Sequence, residues 1–159
     1  MPVLPALEEL IASHPFLEGL SPRFLPQLGE CASLRRFGSH QHVFQEGGEA
    51  DHFYLILAGK VILQTAMPGG GVLHLQTLTG GEALGWSWLF PPYQWSFTAI
   101  TAAPTEVISF ATPLLRRRVQ EDAELANEFL QRLARTLIQR LHFAREGLVR
   151  LYSTRRSEG

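Results

Sequence analysis

The chain has 159 residues, of which 45% are hydrophobic and 18% charged, and its formal net charge is −1. These values are typical of a soluble globular protein, and no apolar run approaches the roughly 20 residues that span a bilayer. The single cysteine, Cys31, excludes an internal disulfide and a four-cysteine iron–sulfur cluster. A chain of this length is expected to form one domain, over residues 1–159. Because the N-terminus has neither a basic start nor a signal-like core, we expect a cytoplasmic protein.

Residues 1–33 predict helices. Leucine and isoleucine recur at helical spacing between Leu4 and Ile11, until His14-Pro15 breaks the pattern. Ser21-Pro22 then predicts a helix start, with a capping residue before a proline in the first turn. Apolar residues from Phe24 to Ala32 follow at helical spacing.

Residues 34–112 predict short strands that are separated by glycines. Phe53 to Leu57 is typical of a buried strand, with Phe53, Leu55 and Leu57 facing one side. Residues 67–71 contain three consecutive glycines and predict a hairpin turn. Further strands are expected at 72–78 and 98–110. Many short strands at regular spacing favour a sandwich or barrel.

Residues 113–152 return to a helical pattern. We expect a short helix over residues 114–119 and a long helix over residues 123–152, with acidic residues at its start and arginines later, as the helix dipole favours. From residue 116 onward there are ten arginines against six acidic residues. A solvated helix face is the usual explanation for such a charge run.

Two motifs stand within the strand region. The first is residues 43–61, VFQEGGEADHFYLILAGKV, in which Gly47 and Gly59 suit turns that need a positive φ. The second is GGEAL at residues 80–84, followed by residues 85–97, which contain all three tryptophans of the chain.

Together with the HPFLEGLS stretch at residues 14–21, these motifs resemble the cyclic nucleotide-binding domains of catabolite-activator and Crp/Fnr-like sensors. The resemblance covers about residues 13–150. It implies an α+β fold, mainly β with flanking helices: a jelly-roll or double-stranded β-helix with N-terminal helices and a long C-terminal helix. It also implies a non-catalytic sensor or regulatory module, here without the C-terminal DNA-binding domain.

The resemblance places a phosphate-binding cassette at residues 80–97, but with changed residues. In the family a glutamate takes the ribose hydroxyl and an arginine takes the cyclic phosphate. Here Trp86 stands at the glutamate position, Trp95 or Ser96 stands at the arginine position, and residues 61–115 contain no lysine or arginine. A lost charge-assisted contact costs about 1.5–3 kcal/mol, so we expect cyclic AMP and cyclic GMP to bind weakly or not at all. Arg140 on the long helix is an alternative source of positive charge.

The aromatic stretch allows two interpretations. Its side chains could fill the ligand volume themselves, or they could form a stacking site for another planar or apolar small molecule. An aromatic core or interface patch is the simpler account. The candidate ligand-binding residues are Gly85, Trp86, Ser87, Trp88, Gln94, Trp95, Ser96, Phe97 and Arg140.

The histidines suggest an enzymatic alternative. His40, His42 and Glu46 have the spacing of the first metal motif of cupins, and two histidines on one strand face could hold a metal with the glutamate. No second cupin motif follows. His74 is a candidate haem ligand, but a lone histidine is more often structural. We therefore predict no metal, cofactor or catalytic residue.

The long helix carries a heptad seam, from Asn127 to Leu151, that is apolar after its first position. We expect it to form a homodimer interface through Leu130, Ala134, Leu137, Leu141, Ala144 and Leu148. Phe129, Leu133 and Ile138 lie beside the seam and are expected to pack on the roll.

The arginines are scattered around the helix, so we expect no specific DNA binding by this chain alone. The chain is either a stand-alone sensor or part of a longer regulator, and the unpatterned tail favours a natural end.

Overall fold

A computed structural model describes residues 6–157, so Leu4 of the predicted first helix lies outside the described residues. The chain begins with helix α1 (Leu7–Ser13), two single 3₁₀ turns (Pro15–Leu17 and Pro22–Phe24) and helix α2 (Leu25–Cys31). The Ser21 side chain caps no N–H, although Pro22 does occupy the first turn. Ala32 was predicted in this helix and instead starts the first strand, because its φ and ψ are already extended.

Eight strands follow, all of them paired antiparallel. They are β1 (Ala32–Phe37), β2 (His42–Phe44), β3 (His52–Ala58), β4 (Lys60–Ala66), β5 (Val72–Thr79), β6 (Ala83–Leu84), β7 (Thr98–Thr101) and β8 (Thr105–Ala111). One sheet has the order β1-β8-β3-β6 and the other β2-β7-β4-β5. The predicted β-roll is confirmed, including the hairpin turn at residues 67–71.

The roll is closed by two C-terminal helices. Helix α3 (Thr112–Glu121) is longer than the predicted 114–119 segment. Helix α4 (Ala123–Ser157) starts where predicted and ends five residues beyond the predicted residue 152. Its 35 residues make it about 50 Å long at 1.5 Å per residue, and Gly147 lies within it without interrupting it. Within residues 6–157, no helix is long and apolar enough to cross a membrane.

Strand β3 is buried on both faces, as the apolar run Phe53–Leu57 predicts. Phe53 contacts Phe129 of α4, with ring centroids 6.2 Å apart. Its neighbour Tyr54 stacks on Phe44 of β2, which belongs to the opposite sheet. The side facing Phe44 is therefore the interior between the sheets, and the side facing Phe129 is covered by helices. The structure has two apolar layers that share β3.

Two glycine turns of the first motif have the conformation that the sequence predicts. Gly47 has φ +86° and Gly59 has φ +118°. At Gly59 an added Cβ would lie 2.6 Å from the Thr105 Cα and 2.7 Å from the Pro104 carbonyl oxygen. Glycine is therefore required there both by its backbone angle and by the close approach of the chain before β8.

Candidate functional site

The cassette backbone is a short strand, a left-handed glycine and one 3₁₀ turn. Strand β6 pairs with β3 through Leu84 opposite Tyr54. Gly85 has φ +96°, and the turn Trp86–Leu89 follows it directly. A Cβ on Gly85 would lie 2.8 Å from a ring carbon of Trp95, so the absence of a side chain lets that indole lie against the cassette backbone.

Trp95 lies in the interior of the roll and is only 4% exposed. Its ring stacks on Phe44 with centroids 3.8 Å apart and an interplanar angle of 11°. Backbone bonds fix the segment: Gly47 N donates to Trp95 O at 2.9 Å, and Trp95 N donates to Gly48 O at 2.8 Å. We call Phe44, Tyr54, Trp95 and Phe97 the inner aromatic cluster; its rings occupy the space between the sheets beside Gly85.

Trp86 and Trp88 belong to the helix-covered layer and not to the interior. Trp88 is fully buried against Phe53 and meets Phe129 of α4 edge-on at 5.9 Å. Trp86 packs on Phe53 at 5.0 Å and on Phe16 at 5.2 Å. We call Phe16, Phe53, Trp86, Trp88, Phe110 and Phe129 the outer aromatic cluster. Neither indole N–H has a hydrogen-bond acceptor among the described residues.

The remaining predicted cassette residues are not gathered into one site. Gln94 and Ser96 flank Trp95 and are exposed, because adjacent residues of this extended segment point to opposite sides. Gln94 forms an isolated bridge with Glu49. Ser87 is half-buried in the 3₁₀ turn. Phe97 contacts Phe44 at 5.8 Å and so joins the inner aromatic cluster.

Two arginines reach the cassette from the C-terminal helices. Arg140 of α4 donates to the Ala83 carbonyl at 2.8 Å. Burial lowers the pKa of Arg140, and the nearby Glu82 carboxylate partly offsets this effect. Arg116 of α3 donates from Nε to the Trp88 carbonyl at 3.0 Å and lies 3.8 Å over the Tyr93 ring. Arg116 had no distinguishing signal in the sequence, since it is one of three consecutive arginines.

A cavity of about 260 Å³ lies between α4, the 15–16 turn and the β5–β6 connection. It is separate from the inner aromatic cluster, and we call it the arginine groove. Its lining residues are Pro15, Phe16, Gln76, Gly81, Glu82, Ala83, Arg132, Arg135, Thr136, Gln139 and Arg140. Of these, only Arg140 was a predicted site residue. The others come from four separate segments, so sequence spacing could not bring them together.

The histidine motif is not assembled into a metal site. Glu46 accepts hydrogen bonds from Thr65 Oγ1 at 3.0 Å and from Ala66 N at 3.3 Å. His74 bonds to Thr77 at 2.9 Å. Over residues 6–157, no group of three or more His, Cys, Asp or Glu side chains could hold a metal ion. These contacts account for Glu46 and His74 as structural polar residues.

The two halves of α4 differ in what they contact. Leu125, Phe129 and Leu133 are buried on the roll. Leu137 and Leu141 of the seam are 49% and 67% exposed. The other seam residues Leu130, Ala134, Ala144 and Leu148 are exposed as well. The expectation that Ile138 packs on the roll is wrong: its side chain is exposed, because at 100° per residue it lies far around the helix from Phe129 and Leu133.

Comparisons with known proteins agree with this architecture. Residues 34–122 match the family model of the cyclic nucleotide-binding domain. The chain is 25% identical over 131 residues to the CRP-like cAMP-activated global transcriptional regulator of Mycobacterium tuberculosis, covering 82% of this chain and 58% of that protein. It is 32% identical over 146 residues to glutaminase 1 of Bradyrhizobium diazoefficiens, covering 91% of this chain but only 23% of that enzyme. The chain therefore spans less than two thirds of the length of either relative.

Solved structures give the same fold. The sensor domain of the transcriptional regulator DNR from Pseudomonas aeruginosa superposes with a TM-score of 0.67 at 25% identity, covering 85% of this chain and 91% of that one. A cyclic nucleotide-binding domain from Methylobacillus flagellatus superposes with a TM-score of 0.71 at 19% identity, covering 86% and 77%.

Proposed function

We propose that this chain, which belongs to the cyclic nucleotide-binding domain family, is a non-catalytic sensor or regulatory module that does not bind cyclic AMP or cyclic GMP in the usual way. The observation that carries the proposal is the position of Trp95. Its ring stacks on Phe44 at 3.8 Å and lies against Gly85 of the cassette, so side chains occupy the interior that borders the cassette backbone.

Electrostatics support the same conclusion. The interior beside Gly85 is lined by the inner aromatic cluster, and Arg140 donates to a backbone carbonyl at Ala83, outside that cluster. A cyclic phosphate beside Gly85 would lack the arginine that the family's cassette supplies, although Arg35 of β1 interacts with Tyr54 of the cluster. One such lost contact costs about 1.5–3 kcal/mol, in addition to the cost of displacing a buried tryptophan ring.

Isothermal titration calorimetry of the purified chain with cyclic AMP and cyclic GMP tests this proposal. We expect neither nucleotide to give a binding isotherm with a dissociation constant in the micromolar range or tighter. Unchanged circular dichroism before and after titration shows that the protein remains folded. A micromolar constant for either nucleotide would contradict the proposal.

We further propose that the module is a homodimer through the α4 seam. About 50 Å of helix is more than the roll covers, and Leu137, Leu141 and Leu148 leave a continuous apolar stripe exposed. The stripe follows the 3-4 spacing that packs two helices together. An apolar stripe of this length on an otherwise charged helix marks an association surface.

Sedimentation velocity of Leu137→Glu/Leu141→Glu tests the dimer, because like charges would face each other in a desolvated layer. We expect a monomer from this variant and a dimer from the parent chain. Gln131→Glu/His142→Glu places the same two charges on an exposed face of α4 away from the seam and is expected to remain dimeric. A seam variant as dimeric as its parent would show that the seam is wrongly assigned.

A further inference from the structure

The face of α4 that packs on the roll changes its chemistry along the helix. Leu125, Phe129 and Leu133 form its buried apolar part. The same face continues at the next helical positions with Thr136 and Arg140, both of which line the arginine groove. An apolar residue at position 140 would extend the packed stripe. The chain instead places a guanidinium there, opposite Glu82, Ala83 and Gln76.

The positive charge at the groove is not compensated within the described residues. Arg140 makes one hydrogen bond, to the Ala83 carbonyl, and no ion pair within 4.0 Å. A guanidinium carries five N–H donors, so most of its capacity is unused. Arg135 lines the same cavity, and no hydrogen bond or ion pair of its side chain is found over residues 6–157. The only unpaired carboxylate in the lining is Glu82, which leaves an excess of one positive charge.

The third arginine of the groove, Arg132, stabilises the groove wall and is not free to bind a ligand. Arg132 is 8% exposed and donates to the carbonyls of Phe16 at 3.0 Å and Glu18 at 2.8 Å, and it pairs with Glu128. Its donors are therefore directed to the 16–18 turn and to its own helix. Arg132 holds Phe16 in place against α4, which leaves Arg135 and Arg140 as the groups available to a ligand.

Glu82 is also partly engaged by its own turn. Its Oε2 accepts from the Thr79 N–H at 2.6 Å. The neutral polar groups of the lining are Gln76, Thr136 and Gln139, and the apolar surface is provided by Pro15 and Phe16. A volume of about 260 Å³ is just below the usual range for drug-sized ligands, so it suits a small organic molecule.

We propose that the arginine groove binds a small organic anion, whose carboxylate or phosphate pairs with Arg135 and Arg140 and whose apolar part lies on Phe16. This inference deepens the proposed function by giving the sensor module an input site outside the roll interior. The groove is walled by α4, by the 15–16 turn and by β5–β6, so a bound anion would tie α4 to the roll. It would thereby couple ligand occupancy to the helix that carries the proposed dimer seam.

Titrations with four probes test the chemistry of the site. Phenyl phosphate and phenylacetate carry the two anionic groups on an apolar ring, phenylacetamide is a neutral isostere, and inorganic phosphate lacks the apolar part. Calorimetry gives the affinity. Tryptophan fluorescence provides a local readout, because Trp86 lies 5.2 Å from Phe16. We expect at least one of the two aromatic anions to bind, with phenylacetamide and inorganic phosphate at least tenfold weaker.

The variants Arg135→Gln and Arg140→Gln should each weaken binding of that anion by about tenfold to a hundredfold, as expected for loss of a charge-assisted contact. Arg117→Gln removes an exposed arginine of α3 outside the groove and should leave the affinity unchanged. Arg135 is exposed, so its replacement is not expected to impair folding, and circular dichroism checks this for each variant.

Three results would overturn the proposal: no binding of either aromatic anion below the millimolar range, equal binding of phenylacetamide, or equal loss of affinity in Arg117→Gln. Cyclic AMP titrated in parallel separates the two proposals. Micromolar cyclic AMP binding that Arg135→Gln and Arg140→Gln leave unchanged would refute the filled interior and not the groove. Failure of the aromatic anions alone would refute the groove and not the filled interior.

Discussion

The roll interior and the arginine groove both border the 81–89 segment, yet one is filled and the other is open. In the interior, Trp95 stacks on Phe44, and aromatic rings occupy the space beside Gly85. In the groove, Arg135 and Arg140 line a cavity of about 260 Å³. Aromatic rings can close a space between two sheets because most of their surface is apolar and gains free energy on burial. Guanidinium groups without partners cannot be packed dry without a large desolvation cost, so the space beside them stays open.

The largest expected effect on the free energy of unfolding comes from removing the Trp95 ring from the roll interior. Trp95→Ala should destabilise the chain by about 3–5 kcal/mol, because it removes a buried ring and leaves a cavity between the sheets. Arg135→Ala in the open region should change the free energy of unfolding by no more than about 0.5 kcal/mol. Urea denaturation measures both. A Trp95→Ala cost below about 1 kcal/mol would show that the interior is not tightly packed.

A smaller effect tests the contact between Trp95 and the cassette. Gly85→Ala should cost about 1–3 kcal/mol, since φ is +96° and the new Cβ would lie 2.8 Å from the indole. Gly69→Ala is the matched control: φ is +91°, but nothing lies within 4 Å of an added Cβ.

A double-mutant cycle separates clash from backbone strain. Combined with Trp95→Ala, the Gly85 substitution should cost less than it does alone, with a coupling energy of about 0.5–3 kcal/mol. The Gly69 substitution should show no coupling with Trp95→Ala. Equal costs at Gly85 in both backgrounds would mean that the indole does not constrain the cassette backbone.

The smallest expected effect concerns His14, which hydrogen-bonds to Phe16 beside the groove, and the pH dependence of folding stability. His14 is buried; its Nε2 lies 2.8 Å from the Ile56 carbonyl, and its Nδ1 accepts from the Phe16 N–H at 3.1 Å. Burial lowers the pKa of His14 below its ordinary value of 6.5, with the Ile56 hydrogen bond opposing the shift. The unfolded chain therefore takes up the proton first as the pH falls. The stabilisation is complete above about pH 6.5 and is lost as the pH falls through the lower folded pKa.

Denaturation midpoints between about pH 7.5 and pH 5 measure this loss. His14→Asn keeps a side-chain oxygen that can accept from the Phe16 N–H, and it should flatten the pH dependence in that window. Asp122, whose pKa is lowered by the backbone N–H of Leu125, acts at more acidic pH and should not interfere. His40→Asn makes the same substitution at an exposed histidine and is the matched control. An unchanged slope in His14→Asn would show that this imidazole does not govern the window.

The sequence by itself predicted the order of helices, β-roll and long helix, because local signals carry that information. Glycine at positions 47 and 59 marks turns with positive φ, and the 3-4 spacing after Leu130 marks an apolar helix stripe. Boundaries were less accurate at Ala32 and at the end of α4, where neighbouring residues are compatible with either state. The changed cassette residues Trp86 and Trp95 were also evident from the sequence.

Tertiary structure alone decided where each tryptophan points and which arginines meet. Trp86 and Trp95 are nine residues apart in one segment, yet Trp86 lies in the outer aromatic cluster and Trp95 lies in the inner aromatic cluster. The arginine groove unites α4 with Phe16 and Gln76, which are far apart along the chain. Periodicity reports which face of an element is apolar, but the partner of that face depends on how the sheets close and where α4 crosses them. Such contacts are set by long-range packing, which no local sequence pattern encodes.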